Sequence, residues 1–380
     1  MKIAFLDQTF HKETGSALFF VKLLERIGTV QSFFVAGGGA SGLVEIADAD
    51  FDLIVLWQTD FCAPYFLARG KRTVIIPMYD GCARIPEVYW RAMSQARAVS
   101  FSSALHNKLT ACGIDSLYVQ YFPNPEAFPV TTDFSTLRGF LWQRRPDQGI
   151  TWELATRLCG NLDSFHIHLP GDYGEYPCVP ALSNITVSRW GSDSSAYGRH
   201  LQAANIFFAP RLTEGIGMAN LEAMARGMCV IAHDDSTANE YLSDRENGRI
   251  YNISSPQRLS LTPETAEKYG RSARKTVEIG HRRFIESLDG LLEFISSTPR
   301  PDPHYAAHFP QDAFLRAATM MFSNATFTIA ILAKAGVSGA FPAAKKYSGW
   351  KMIVVKFIPL TLIPPAIGAY RLLRRSFGKA

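Results

Sequence analysis

The sequence has only six cysteines, and they are scattered without a Cys-x-x-Cys pair. Disulfide frameworks and zinc sites need paired or closely spaced cysteines, so the pattern predicts reduced, mostly buried thiols instead. Internal repeats and low-complexity tracts are also missing. Residues 1–6 (MKIAFL) read directly as a first strand, with no signal peptide before them. We therefore expect a cytoplasmic protein.

Acidic residues are missing from the end of the chain: no Asp or Glu follows Asp312, whereas ten Lys and Arg residues do. The net charge of +5 thus combines a mildly acidic body with a strongly basic tail. Such a tail can bind nucleic acid or an anionic membrane. The apolar stretches between its charges favour the membrane. We predict that residues 313–380 bind an anionic membrane surface and that the chain binds no nucleic acid.

Long uninterrupted hydrophobic runs are absent as well. The uncharged stretch 317–333 contains Thr, Ser and Asn, and the apolar stretch 352–370 is broken by one lysine and three prolines. A membrane span needs about 20 apolar residues without such breaks. Helices lying in the membrane interface fit the tail better. The alternative is a tail that packs on the body of the protein.

A chain of 380 residues is too long for one ordinary core, and its apolar runs form two α/β halves followed by the tail. The predicted strands are 3–6, 30–35, 53–57, 73–77, 98–102 and 117–122 in the first half, and 137–142, 165–169, 185–188, 206–209 and 229–232 in the second. The predicted helices include 16–26, 86–95, 103–111 and 263–292. Pro-rich stretches at 122–129 and 297–304 mark the links. We predict an N-terminal Rossmann-like domain over 1–128, a second one over 129–296, and a linker with the basic, apolar tail over 297–380.

Two glutamates eight positions apart carry the most functional information. Glu214 precedes a turn with Gly215 and Gly217, and Glu222 lies in a helix predicted over about 218–226. The glycines let the backbone approach a ligand, and the helix start offers free N–H groups and a positive dipole end to an anion. The two carboxylates can then bind hydroxyls on opposite sides of a bound phosphate. A nucleotide sugar has this layout.

The surrounding residues resemble the donor-site signature of the GT-B glycosyltransferases of group 1 (family 4, retaining), of the kind that acts in bacterial surface-polysaccharide assembly. The resemblance is strong over about 205–251 and weaker over most of 1–295. Besides the two glutamates it rests on Gly215, Gly217, Leu221, Ala223, Met224, Ala225, Gly227, Val230 and Ala232, with Glu240 and Asn247-Gly248 further on. It implies an α/β, GT-B fold: two facing Rossmann-like domains with a cleft between them. It also implies that Glu214 contacts the donor sugar and Glu222 holds the ribose. From spacing alone, a charge at a helix start and a solvated helix residue remain the alternatives.

The resemblance further implies which groups bind the donor pyrophosphate. The family usually places an Arg and a Lys on the loop after the first strand of the second domain. Here Arg144 and Arg145 fill that loop, Gln148 stands where the family often has Lys, and Arg211 is a further cation. The backbone around the glycine turn completes the predicted donor site, with residues Gly215, Ile216, Gly217 and Met218. We expect no metal and no cofactor besides the nucleotide-sugar substrate.

The acceptor is expected on the first domain. In the family, the loop after the fourth strand of that domain faces the reacting carbon. Asp80 is the candidate to orient the acceptor hydroxyl or take its proton, with Tyr79 and Arg84 beside it; a helix cap or turn role is the alternative. Gly15, after the first strand, is a further acceptor-side candidate. The family often has a histidine in the loop of Asp80, and this sequence has none. His106 is predicted to be a surface or satisfied histidine.

Two short motifs indicate other classes of protein. Residues 37–42 (GGGASG) match the G-x-G-x-x-G of nicotinamide dehydrogenases. The next strand begins too soon for the required helix, and the motif does not follow the first strand. Asp48-Ala-Asp50 resembles the metal site of the other large glycosyltransferase fold, but it precedes a hydrophobic strand instead of following one. A solvated turn is therefore predicted there.

The predicted function is that of a peripheral enzyme on the cytoplasmic face of the inner membrane. It would transfer a hexose or similar sugar from a nucleotide sugar to a hydroxyl of a lipid-linked glycan, in O-antigen, capsule, exopolysaccharide or lipopolysaccharide biosynthesis. The resemblance implies retention of the anomeric configuration, and front-face displacement is favoured because no carboxylate is placed as a covalent nucleophile. The alternatives are a sugar-nucleotide epimerase of the same fold and an inactive, nucleotide-sugar-binding membrane scaffold, which Gln148 favours.

Overall fold

The computed structural model describes residues 1–35, 41–85, 87–170, 182–191 and 196–305. They form two compact α/β units. The first unit contains Met1–Ser100 and Leu105–Tyr118, with the described residues from Asp289 onward, and the second contains Phe101–Ala104 and Val119–Leu288. This division differs from the predicted boundaries at 128/129 and 296/297, because the end of the last helix belongs to the first unit.

The first unit is built on a parallel sheet. Its strands are β1 (Lys2–Gln8), β2 (Thr29–Val35), β3 (Leu53–Trp57), β4 (Thr73–Ile76), β5 (Arg97–Ser100) and β6 (Asp115–Tyr118), in the order β2-β1-β3-β4-β5-β6. The helices of this stretch of chain are α1 (His11–Thr14), α2 (Leu18–Leu24), α3 (Ser41–Asp48), α4 (Ala63–Leu67), α5 (Tyr79–Cys82), α6 (Glu87–Arg91) and α7 (Ser103–Ala111). Every residue of β3 is buried, as expected for a central strand covered on both faces.

The second unit repeats this plan. Its strands are β7 (Arg138–Trp142), β8 (Ser164–Leu169), β9 (Ile185–Arg189), β10 (Ile206–Phe208), β11 (Cys229–His233) and β12 (Arg249–Tyr251), in the order β12-β11-β10-β7-β8-β9. The remaining helices are α8 (Trp152–Leu158), α9 (Ala196–Ala203), α10 (Met218–Ala225) and α11 (Pro263–Ser296). Short 3-10 turns cover Asp60–Cys62, Pro125–Ala127 and Pro146–Gln148. The prediction of two Rossmann-like α/β halves is confirmed. Strand β12 was not predicted, and neither were helices such as α1, α4, α8 and α9.

In each sheet the strand order reverses at one point. The chain passes from β1 to β2 on one side and then to β3 on the other side of β1, so the first reversal lies between β1 and β3. The second lies between β7 and β10, because β8 and β9 are on the opposite side of β7. Ligands of open α/β sheets bind at the carboxyl ends of the strands at such points. The loops with the predicted donor residues follow β7 and β10.

The cysteine prediction is confirmed for the residues that the structure describes. Their free, buried thiols are those of Cys62, Cys82, Cys112, Cys159 and Cys229. The sixth cysteine, Cys178, lies outside the described residues.

The predicted link after α11 is packed on the first unit instead of separating the tail from it. Arg72 donates hydrogen bonds to the carbonyl oxygens of Ser296 and Thr298. The buried Tyr305 hydroxyl donates to the Ala92 carbonyl at 2.6 Å. These contacts fix the chain as far as residue 305. The predicted membrane-binding tail begins beyond it and lies outside the described residues.

Within the described residues, the helices are all too short or too polar to span a bilayer.

Candidate functional site

The glycine turn before α10 has the geometry that the sequence predicts. Gly217 adopts a left-handed conformation with φ 78°, which favours glycine. A side chain there would meet Cβ and Cγ of Glu214 and Nδ2 of Asn220 at 3.6 Å. Among the described residues, no side chain caps the start of α10. The first N–H groups of this helix are therefore suited to bind an anion.

Glu214 is placed by the neighbouring loop after β11. Its backbone N–H donates to Oγ1 of Thr237 at 3.0 Å, and that hydroxyl donates to Oδ2 of Asp235 at 2.6 Å. Thr213 donates to the other oxygen of Asp235 at 3.0 Å. Asp235 thus fixes the backbone on both sides of the Thr213–Glu214 peptide. The half-buried Glu214 side chain consequently starts from a fixed position at the carboxyl edge of the sheet.

Glu222 is a half-buried residue of α10, so the alternative of a solvated helix residue is wrong. Burial raises the pKa of its carboxyl group, and Arg226 one turn later opposes this shift. Two tyrosine hydroxyl groups lie in the field of this carboxylate. Burial and the charge of Glu222 raise the pKa of Tyr121 to about 12, and the same two causes raise the pKa of Tyr197. Within the described part of the chain, the carboxylate of Glu222 accepts no hydrogen bond. Hydroxyl groups of a ligand would supply the missing donors.

The loop after β7 holds two arginines in different states. The guanidinium of Arg144 lies over the Trp142 ring, 4.9 Å from its centroid. Arg145 donates two hydrogen bonds to Asp147, at 2.9 and 2.7 Å, and this arginine keeps the pKa of Asp147 low. The charge of Arg145 is therefore balanced locally.

Gln148, at the position where the related sequences often have lysine, connects the two loops of the site. Its Oε1 accepts a hydrogen bond from the backbone N–H of Leu212 at 3.3 Å. Leu212 follows β10 and stands next to Arg211, which is half-buried. A lysine has no acceptor and could not make this contact. The departure from the family pattern thus has a structural role.

An aromatic surface at the carboxyl edge of the second sheet was not predicted. Trp142, the last residue of β7, stacks on Trp190, which follows β9, with ring centroids 5.4 Å apart and an interplanar angle of 11°. Tyr197 meets both rings edge-on, and Trp190 remains 47% exposed. The signal in the sequence was the presence of tryptophan directly at two strand ends.

Two later positions of the resemblance have structural contacts. Glu240 accepts hydrogen bonds from the backbone N–H and the hydroxyl of Ser103, at 2.7 and 2.9 Å. Asn247 accepts from the Ser243 N–H at 2.7 Å and donates to the Tyr241 carbonyl at 2.9 Å. A side chain at Gly248 would lie 2.8 Å from the Val230 carbonyl oxygen. Asn247-Gly248 is therefore a closely packed turn.

The acceptor-side candidates all belong to the first unit. Asp80 is exposed in the short helix α5, with Tyr79 half-buried before it and Arg84 exposed after it. Gly15 ends α1 in a left-handed conformation, φ 62°. His106 is satisfied, as predicted, with Nδ1 3.1 Å from the Ser116 hydroxyl.

The second of the two competing motifs lies on the surface. Asp48 forms an ion pair with Arg69 at 3.0 Å and Asp50 one with Lys2 at 3.1 Å, all on the surface. This confirms the solvated turn. Most of the glycine motif 37–42 lies outside the described residues. Within the described ranges, no three His, Cys, Asp or Glu side chains are grouped so that they could hold a metal ion.

Comparison with known proteins agrees with this arrangement. Residues 184–283, which include both glutamates, match the family model described as "Glycosyl transferases group 1". Sucrose-phosphate synthase from Thermosynechococcus elongatus superposes with a TM-score of 0.59 at 14% identity, covering 77% of this chain and 98% of that chain. HepE of Anabaena in complex with UDP gives a TM-score of 0.53 at 14% identity, covering 76% and 100%. The chain has the GT-B fold. The group 1 match in addition supports a glycosyltransferase, and no curated protein matches the sequence significantly.

Proposed function

We propose that this GT-B protein transfers a sugar from a nucleotide-sugar donor to a hydroxyl group of an acceptor. The observation that carries the proposal is the Glu222 carboxylate: half-buried, with a raised pKa, and without a hydrogen-bond donor among the described residues. It lies next to an uncapped helix start, at the reversal point of the second sheet. This combination fits a ligand with an anionic group beside free hydroxyls.

The donor then binds to the second unit in three parts. The N–H groups at the start of α10 bind the pyrophosphate together with Arg144 and Arg211, since both an N-terminal helix dipole and guanidinium groups favour anions. Glu222 accepts hydrogen bonds from the ribose hydroxyls. Glu214 accepts them from the sugar that is transferred. HepE of Anabaena has been solved in complex with UDP-glucose, so UDP-glucose is the first donor to test.

The finer features of the reaction are part of the same proposal. The resemblance to family 4 enzymes supports transfer with retention by front-face displacement. Asp80 orients the acceptor hydroxyl, with Tyr79 and Arg84 close to it in the sequence, and Gly15 is a further acceptor-side residue of the first unit. The basic, apolar segment 313–380 supports a lipid-linked glycan acceptor at the cytoplasmic membrane surface, in the assembly of a surface polysaccharide.

A thermal-shift screen with nucleotide sugars tests the donor proposal. A ligand at 100 times its dissociation constant adds about 2.7 kcal/mol to stability, which a melting curve resolves. We expect at least one nucleotide sugar to stabilise the wild type and to lose most of this effect in Glu222→Ala.

Radiolabelled donor then separates the possible activities. Transfer of the label to an added alkyl glycoside supports the glycosyltransferase, and conversion of the donor sugar without any acceptor would indicate an epimerase. Binding without turnover would indicate an inactive scaffold. If no nucleotide sugar stabilises the protein, the proposed function is wrong.

A further inference from the structure

A buried Asp–His pair lies at the reversal point of the first sheet, and the donor site does not use it. Asp7 is in β1, next to its last residue, and His11 begins α1; their side chains are 3% and 8% exposed. Nδ1 of His11 is 2.5 Å from Oδ1 of Asp7. The same oxygen accepts the backbone N–H of Gln8 at 2.7 Å. One buried oxygen of Asp7 thus lies within hydrogen-bond distance of both groups.

This contact determines the tautomer of the imidazole. The carboxylate needs a donor, so Nδ1 carries the proton in the neutral ring. Nε2 is then left with a lone pair. A ring held in this way by a buried carboxylate is a fixed hydrogen-bond acceptor, and a hydroxyl group is the matching donor.

Backbone strain marks the same place. Gln58, which follows β3, has φ 52° although it is not a glycine. It is held there by two hydrogen bonds: its N–H donates to the Ile76 carbonyl at 3.0 Å, and its carbonyl accepts from Nε2 of Gln8 at 2.9 Å. Residues in this conformation persist where the surroundings impose it, and they concentrate at functional sites. The bond from Gln8 joins the ends of β1 and β3, the two strands that flank the reversal point.

An exposed aromatic side chain contacts the pair. Phe10 is 57% exposed, and its ring meets the His11 ring edge-on at 4.2 Å. A binding site for a small organic ligand combines such an apolar surface with few, fixed polar groups. A sugar ring, with hydroxyls at its edge and C–H groups on its faces, fits both.

We propose that Nε2 of His11 accepts a hydrogen bond from a hydroxyl of the acceptor sugar, with Asp7 as the positioning residue. The proposal rests on the proposed glycosyl transfer and names the class of its acceptor: a sugar ring with free hydroxyls, bound on the first unit. The histidine in this role follows the first strand, and the loop of Asp80 contains no histidine.

The experiment uses the full chain with 15N-labelled histidine, and the probes are octyl glycosides of common hexoses, below their micelle concentrations. The variants are His11→Gln and Asp7→Asn, and the control is His106→Gln, which replaces a histidine of the same unit outside this site. NMR follows Nδ1 and Nε2 of His11, calorimetry measures the binding of glycoside and of UDP-glucose separately, and melting curves verify the fold of each variant.

We expect the wild-type spectrum to show the Nδ1–H tautomer and at least one glycoside to shift Nε2. Both variants should weaken glycoside binding by about tenfold, the effect of losing one hydrogen bond to a fixed polar group, while UDP-glucose binding changes by less than about twofold. In Asp7→Asn the amide can donate to Nδ1, so the tautomer should reverse. The control should bind both ligands like the wild type.

Three results would overturn the proposal: no glycoside shifts Nε2, UDP alone shifts it, or the variants lose glycoside and nucleotide binding together. Failure of this proposal leaves donor binding by the wild type intact. Failure of the proposed function appears differently, as the absence of nucleotide-sugar binding in the wild type, and a glycoside that shifts Nε2 would still identify a sugar site.

Discussion

The carboxyl group of Glu222 has a raised pKa because it is half-buried on α10. In the folded protein it therefore binds a proton more readily than in the unfolded chain. Above its folded pKa, the buried charge lowers the free energy of unfolding. As the pH falls through that pKa, the carboxyl group becomes neutral and no longer lowers the free energy of unfolding. The charge of Glu222 thus reduces the stability of the ligand-free protein.

We expect Glu222→Gln to raise the melting temperature of the ligand-free protein at neutral pH, because the amide carries no charge. The difference from the wild type should shrink as the pH approaches the ordinary pKa of glutamate. Nucleotide affinity should fall by about tenfold. Melting curves across pH and calorimetry with UDP measure both effects, and the exposed Glu126→Gln is the matched control. A difference that grows on acidification would contradict the assignment.

Glu214 should affect a different step. If it contacts the transferred sugar, which UDP lacks, Glu214→Ala leaves UDP binding nearly unchanged and lowers turnover by about a hundredfold, as removal of a group acting in the transition state does. Calorimetry with UDP and initial rates with the sugar donor measure the two quantities. Equal losses in both would place Glu214 on the nucleotide, and full activity of this variant and of Glu222→Ala would exclude the donor site.

Residue positions were predictable where a spacing pattern constrains them. The two glutamates were identified from their separation of eight positions around two glycines. The ion pair of Arg145 with Asp147, two residues later, could not be predicted, because it depends on the side-chain rotamer of Arg145. The Asp7–His11 pair was missed because an i, i+4 spacing of Asp and His is unremarkable in sequence. Burial of both side chains is visible only in the structure.

The turn before α10 allows a paired test at the level of one element. Gly217→Ala must adopt φ near 78°, which costs on the order of 1 kcal/mol for a residue with a side chain; the new methyl group would only touch Glu214, at 3.6 Å. We expect lower stability and weaker nucleotide binding. Gly198→Ala lies within helix α9 with nothing within 4 Å of the new methyl group. It should stabilise the protein by about 0.5–1 kcal/mol. Denaturant titration measures the free energy of unfolding of both variants. If both are destabilised, the left-handed turn at Gly217 does not explain the effect of its substitution.

The elements that were predicted best have a strong local pattern. The structure has β3 at Leu53–Trp57 and α7 at Ser103–Ala111, the predicted bounds, because each is delimited by a clear change in hydrophobicity. Strand β12 was missed because it has only three residues and contains the buried Arg249. That side chain is held by Asp244, at 2.8 Å from Nε to Oδ1, a contact across five positions that no strand pattern predicts.

At the level of the whole molecule, the proposed donor site would supply its own positive charge to a leaving pyrophosphate. We expect transfer to continue in excess chelator, because Arg144, Arg211 and the start of α10 supply positive charge. Initial rates with and without EDTA test this. Complete loss of activity that Mn²⁺ restores would show that a metal ion is required.

The tail can be tested with two shortened chains. A chain ending at Tyr305 keeps the hydrogen bond to Ala92 and should melt like the full-length protein, bind the donor and lose attachment to anionic vesicles. A chain ending at Ser296 loses this anchor and should melt at a lower temperature. Each basic residue of the tail contributes about 1 kcal/mol near an anionic surface, and its apolar residues add binding that salt does not screen.

Vesicle flotation at low and high salt measures the result. The full-length protein should be released only partly by salt and completely by detergent. If the tail instead packs on the body, full-length protein ignores the vesicles and the chain ending at Tyr305 aggregates.

The buried thiols allow the unfolding of each unit to be followed separately. Cys62, Cys82 and Cys112 belong to the first unit, and Cys159 and Cys229 to the second. Burial raises the pKa of all these thiols, so an alkylating reagent can react with them only after local or global unfolding. Peptide-resolved mass spectrometry after timed alkylation would yield two sets of rates from one untagged, unmutated sample. The alkylation rates of these cysteines would therefore report the opening of each unit separately.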